Sequence, residues 1–323
     1  MTGGGGREQV TVPRATFRSY YGRPVLKPPV WEWTIPAYLF TGGLSAGAAL
    51  LAAGADLTRR PALRRTGRIG GFAALLASLG LLIADLGRPE RFHHMLRVAK
   101  PTSPMSVGTW ILTAYGPGSG LAVAPELLPG RLRGTRLGRL LRLAARPAGL
   151  SAAAFAPGVA SYTAVLLSQT AVPAWHEARR ELPFVFVGSA AASGGGLGLL
   201  FTPLPEAGPA RQFGAAGAAA ELIASRLIER RPELETEAFT TGRAHRMRRW
   251  SEGLTLGGAI AAVSVARRSR LAAAAAGLAL LGGSALQRFS TFEAGTASTK
   301  DPRYVVVPQR ARLEASSGRP NQR

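Results

Sequence analysis

The chain has 323 residues, 46% of them hydrophobic, and its 40 Lys and Arg against 18 Asp and Glu leave a formal net charge of +22. A charge of that size raises the question of nucleic acid. The basic residues, however, are gathered into short groups between nearly uncharged stretches, which argues against a nucleic-acid-binding face and for the connecting segments of a membrane protein. With no cysteine, the chain lacks thiolates for an iron–sulfur cluster, a disulfide or a thiol nucleophile.

Residues 1–33 form a polar N-terminal tail rich in Gly and Pro, with no visible cleavable signal, so the first apolar run is expected to serve as the insertion signal. From 34 to 286, windows of membrane-spanning length predict about eight helices. They are Thr34–Leu57, Ile69–Leu86, Val107–Leu128 with an interruption at "GPGSG" (Gly116–Gly120), Pro147–Gln169, Leu182–Leu204, Gln212–Ile228, Ser251–Ala266 and Leu271–Leu286. Between them the basic groups "LTRRPALRRTGR" (Leu57–Arg68) and "RLRGTRLGRLLR" (Arg131–Arg142) are expected as loops, and residues 287–323 as a polar C-terminal tail. The predicted fold class is therefore an all-α integral membrane protein. Its many in-span glycines, as in "GGLSAG" and "SAAASGGGLG", suit close helix packing; without a preceding strand they are no phosphate loop. An even number of spans puts both tails on one membrane side, together with the stretch from Asp85 to Trp110. Lys and Arg in the short loops nearly balance between the two sides, so the positive-inside rule leaves the orientation open.

The four histidines, His93, His94, His176 and His245, all fall at span ends or in loops, so no bis-imidazole haem is expected, nor any metal site. The informative polar residues are Tyr38, Asp85, Tyr162, Gln169 and Glu221, because an ionisable group at membrane depth usually faces a cavity or a partner. For Glu221 a solvated carboxylate on a partly interfacial helix is an equal reading. Asp85, followed by Arg88, Glu90 and Arg91, reads either as an ion-paired helix end or as part of a head-group site. A proton-competent rim on an apolar bundle suits a lipid-soluble quinone, whose carbonyls need hydrogen bonds and whose reduction needs two protons. A transporter or proton-translocating bundle would use the same residues, with a helix broken at mid-membrane as its sign.

Four segments resemble the integral membrane subunits of the polysulfide reductase type, the NrfD family. They are "WEWTIPAYLFTGGLSAGAAL" (Trp31–Leu50), "ADLGRPERFHHMLRVAKPTSPMSVGTWIL" (Ala84–Leu112), "YTAVLLSQTAVPAWHEARRELPFVF" (Tyr162–Phe186) and "RFSTFEAGTASTKDPRYVVVPQR" (Arg288–Arg310). The resemblance implies two four-helix bundles in the plasma membrane of a bacterium. It also implies a menaquinone or ubiquinone site near the face where a ferredoxin-like iron–sulfur subunit docks, with a molybdopterin catalytic subunit beyond. Asp85–Trp110 would form the mouth of that site. Carried onto this chain, the family pattern puts head-group contacts at Tyr38, where other members can have His, and at Tyr162, with Arg88 and His93 at the mouth and Asp85 as the proton-handling acid. Ile35 departs from relatives that carry a polar residue there.

Without cysteines or in-span histidines, the purified chain should show neither haem nor iron–sulfur absorbance. A stoichiometric Soret band that survives removal of every partner would contradict this.

Overall fold

The computed structural model describes residues 24–86 and 88–317. It is built of helices, with no strand among the described residues: α1 (Thr34–Leu57), α2 (Pro61–Ala84), α3 (Pro104–Leu127), α4 (Gly130–Arg133), α5 (Arg136–Ser168), α6 (Pro173–Glu177), α7 (Leu182–Phe201), α8 (Gly208–Glu229), α9 (Gly242–Val263), α10 (Arg270–Lys300) and α11 (Arg303–Ser317). All eight expected spans are present as helices. Five of them, α1, α2, α5, α7 and α10, are long and apolar enough to cross a membrane; α3, α8 and α9 are long enough but fall short in composition.

Helix starts follow local chemistry. Proline opens α2, α3 and α6, where its missing N–H costs nothing. Ser103, Thr135 and Ser269 cap α3, α5 and α10 by accepting a backbone N–H three residues on. The start of α2 is capped from a distance, Glu206 Oε2 accepting from Ala62 N at 2.8 Å and Leu63 N at 3.2 Å.

Packing closes two four-helix rings, α1–α2–α3–α5 and α7–α8–α9–α10, and α1 lies against α7 where the rings meet. Small residues make that junction. A Cβ on Gly47 would collide with the Ala190 carbonyl, and one on Gly194 would stand 2.5 Å from the carbonyl carbon of Gly47. Other faces of α7 are as tight: a Cβ on Gly196 would meet the Gly277 carbonyl of α10 at 2.8 Å, and one on Gly188 the Glu221 amide of α8 at 2.5 Å.

Four sequence expectations are corrected. The helix is not interrupted at Gly116–Gly120, since α3 runs through it. Gly118 there is a packing position, its virtual Cβ 3.0 Å from the Ala148 carbonyl, and the break that a transporter reading would use is absent from α3. The first basic group is helical from Pro61 onward, because its arginines find acids: Arg64 and Arg68, one turn apart, together hold Asp56 and Glu126 at 3.1–3.4 Å. The second basic group lies in α4 and the first turns of α5. Finally, α10 continues past Leu286 to Lys300. Its polar residues face protein, Ser290 donating to the Ala244 carbonyl and Ser298 accepting from Ala174 N, so hydropathy gives no sign of the extension.

Gly47→Val should prevent the two rings from docking and abolish the folded chain, since overpacking of a tight contact typically costs about 1–3 kcal/mol or more. Gly54→Ala, where nothing lies within 4 Å, should leave the yield of folded protein in detergent unchanged.

Candidate functional site

α1 begins and α5 ends on the same side of the molecule, which brings Tyr38 and Tyr162 together inside the first ring. Both are buried, and their hydroxyls hydrogen-bond to each other. α2 and α3 hold the pair in place. Ser78 Oγ donates to the Tyr38 carbonyl at 3.4 Å, and the Tyr162 ring lies flush on Gly108, where any Cβ would collide with it. Two hydroxyls carry two protons and their mutual bond uses one, so one O–H remains to donate to a third group.

Asp85 is the C-terminal cap residue of α2, half-buried, and its Oδ1 accepts from Thr34 Oγ1 at 2.7 Å, tying the end of α2 to the start of α1. It makes no ion pair among the described residues, so the carboxylate is held by a neutral hydroxyl and not by Arg88 or Arg91. Arg88 and His93 are exposed on the 3₁₀ segment Pro89–Leu96 and the residue before it. His93 packs edge-on against Phe92 and His94 at centroid distances of 6.0 and 4.5 Å. No hydrogen bond or ion pair among the described residues joins Arg88 or His93 to the tyrosines or to Asp85. The structure thus brings Tyr38 and Tyr162 together inside the ring, places Asp85 at its rim, and leaves Arg88 and His93 outside.

Beyond that segment the chain returns along α3 and leaves a groove. Ser106 Oγ donates to the Val98 carbonyl at 2.8 Å and accepts from Lys100 N at 3.0 Å, and Trp110 Nε1 donates to the same carbonyl at 3.3 Å. The groove, about 330 Å³, is lined almost wholly by apolar surface of Val107, Trp110, Ile111 and Phe155, with Lys100 at its edge. Val107 is next in sequence to Gly108, so the groove runs beside the helix that seats Tyr162.

The second ring contributes two features that sequence reasoning missed or left open. α6 is a strap across this end of the molecule: Trp175 is fully buried, its Nε1 donating to the Thr291 carbonyl at 2.7 Å while the ring wedges against Gly295 and stacks with Trp31. Arg231 pins the strap, binding Glu177 at 3.2 Å and Glu181 at 2.6 Å. The hydrogen bond to Glu181, reinforced by the charges of Glu181 and Glu177, raises the guanidinium further above its ordinary range. Deeper in, Glu221 is buried and not solvated; its Oε1 accepts from Thr255 at 3.4 Å and its Oε2 has no partner. Close by is Arg288, also buried, donating to the Phe186 carbonyl at 2.8 Å and lying 3.6 Å over the Phe186 ring. Arg288 fell in the expected polar tail. The signals for it were its place at the head of the family-like segment Arg288–Arg310 and the small residues of "FSTFEAGTAS" that follow it. Among the described residues no group of three or more His, Asp or Glu could hold a metal.

The sequence profile of the family described as "Polysulphide reductase, NrfD" matches residues 24–210, from the approach to α1 into the start of α8. The chain is 32% identical over 187 residues to one of the polypeptides of polysulfide reductase from Wolinella succinogenes, a match covering 53% of this chain and 59% of that one. It is 36% identical over 96 residues to protein NrfD of Escherichia coli, covering 27% of this chain and 29% of the relative. To one of the polypeptides of selenate reductase from Mesobacillus selenatarsenatis it is 37% identical over 88 residues, covering 26% and 20%. The matched part spans less than two thirds of each of these relatives.

Arg231→Met should loosen the strap, leaving half-buried Glu181 without its cation and Glu177 with Arg179 alone, at 3.6 Å, at a cost of about 1–3 kcal/mol. The expected result is faster amide hydrogen exchange over residues 173–181 with exchange in α1 and α2 unchanged.

Proposed function

Because the chain belongs to the polysulphide reductase NrfD family, we propose that it is the membrane subunit of an oxidoreductase complex and binds a quinone at the Tyr38–Tyr162 pair. The observation that carries this reading is the pair itself: two buried hydroxyls with one proton uncommitted, beside an apolar groove and below an acid at the rim. These residues fit a quinone. Its ring carbonyl needs a donor at depth and its isoprenoid tail needs an apolar slot open to lipid, and a bound quinone would supply the two-electron, two-proton couple.

In the proposed mechanism Tyr162, seated on Gly108, donates its hydroxyl proton as a hydrogen bond to the head group. Tyr38 fixes the direction of that hydroxyl by sharing the pair's other proton. Asp85, at the water-facing end of α2, exchanges protons between solvent and the site, a role open to it because only a neutral hydroxyl holds it. Arg88 and His93 stand on the exposed segment at the mouth and attract the docking partner or the polar head group as it enters. Electrons arrive from, or leave to, a ferredoxin-like iron–sulfur subunit docked on this face, with a molybdopterin subunit as the catalytic partner and the plasma membrane of a bacterium as the setting. The chain crosses that membrane with about eight helices, and the quinone is menaquinone or ubiquinone.

Tyr162→Phe and Tyr38→Phe each remove one hydroxyl and little volume, so quinone turnover in the assembled complex should fall by about 1–3 kcal/mol in transition-state free energy. Asp85→Asn, nearly isosteric and still able to accept from Thr34, should leave the amount of assembled complex unchanged and slow quinol turnover. Wild-type turnover in all three variants, with assembly measured on the same preparations, would remove the quinone site from this end of the first ring.

A further inference from the structure

At the end of the molecule remote from Asp85, the first turns of α2 and the last turns of α7 enclose a second groove, about 500 Å³, that the proposed quinone chemistry does not use. Its wall on α2 is made by Ala62, Arg65, Thr66, Ile69 and Gly70, and its wall on α7 by Leu197 and Phe201. Both helices are long and apolar enough to cross a membrane, so the groove opens toward lipid.

The order of residues along the groove is that of an amphiphile. Arg65 and Thr66 lie in the second turn of α2, level with Phe201 at the terminus of α7. Ile69 and Leu197 lie one turn, or about 6 Å, deeper toward the membrane interior. Charge is left over at the polar end. Arg64 and Arg68 are neutralised by Asp56 and Glu126, and Arg60 spends one N–H on the Pro205 carbonyl. Glu206, at the same end, is committed to the N-terminal amides of α2. Arg65, by contrast, is exposed and has no ion pair or hydrogen bond among the described residues, and the Thr66 hydroxyl has none either. A half-open apolar slot with one uncommitted guanidinium and one uncommitted hydroxyl at its rim is complementary to a phosphate ester carrying an acyl chain.

We propose that this groove binds one anionic phospholipid, its phosphate held by Arg65 and Thr66 and an acyl chain lying along Ile69, Leu197 and Phe201. The site depends on the membrane-spanning placement of α2 and α7 and is independent of where the quinone binds.

The test uses the full chain purified in mild detergent and examined by native mass spectrometry after exposure to phosphatidylglycerol, phosphatidylcholine or inorganic phosphate. The wild type should retain one phosphatidylglycerol, retain phosphatidylcholine less, and release neither when inorganic phosphate is added. Arg65→Ala, at an exposed position that leaves the fold intact, should weaken retention about fivefold; Arg65→Lys should restore most of it. Phe201→Ala should weaken retention of phosphatidylglycerol and phosphatidylcholine alike. Equal retention by the wild type and Arg65→Ala would overturn the proposal. Displacement of the lipid by inorganic phosphate would equally overturn it, reducing the groove to a simple anion site.

Discussion

The molecule is organised by one steric constraint: helix α7 must be touched on three sides by backbone. Its glycines let α1 approach at Gly47, α8 at Glu221 and α10 at Gly277, each within the distance that a single methyl group would forbid. In a bilayer such contacts are the main source of helix association, because burying leucine against leucine gains nothing over burying it in lipid. Once α1 is fixed against α7, Tyr38 near the start of α1 and the strap residue Trp175 belong to one continuous apolar core, although α1 closes the first ring and the strap packs on α10 of the second. The geometry of the candidate site therefore depends on contacts two turns or more away from it as well as on Ser78 and Gly108 at the pair itself.

Much of this was legible in the residues. All eight expected helices stand where apolar windows placed them, and for α1, α2, α5, α7 and α10 the reason is plain, since a helix long and apolar enough to cross a membrane has to announce itself in composition. The ends were not legible. α2 starts eight residues earlier than its apolar window, since Arg64 and Arg68 are matched by Asp56 and Glu126, acids more than seven residues away in sequence or on another helix. α10 runs fourteen residues further, because Ser290, Ser298 and Gly295 are polar or small for the sake of protein neighbours and not of water. Hydropathy reports which surface meets lipid and is silent about polar residues that meet protein.

The same distinction separates the legible from the hidden parts of the site. Tyr38 and Tyr162 could be singled out because a phenol inside an apolar window is conspicuous, and Asp85 because it closes one. That the two phenols touch, that Gly108 is the seat of the Tyr162 ring, and that Asp85 is held by Thr34 and by no arginine all depend on helix rotation and on contacts across 51 to 124 residues of chain. Arg88 and His93 share the dense polar interval with Asp85, yet the turn after α2 carries them outward. Proximity in sequence was a poor guide there. Glu221 and Arg288 invert the case: distant in sequence, they are neighbours in the second ring, each with an unpartnered polar atom.

The charged quartet of Asp56, Arg64, Arg68 and Glu126 has a further consequence. Its two cations and two anions sum to zero within a few ångströms, at the end of the first ring remote from Asp85. A single unpaired arginine carried through a membrane feels about 2.3 kcal/mol for every 100 mV of potential. The quartet, having no net charge, feels almost none. The quartet itself is therefore nearly blind to the voltage across the bilayer, and changes in membrane energisation act at this end of the bundle through the charges left outside it, the exposed Arg65 among them.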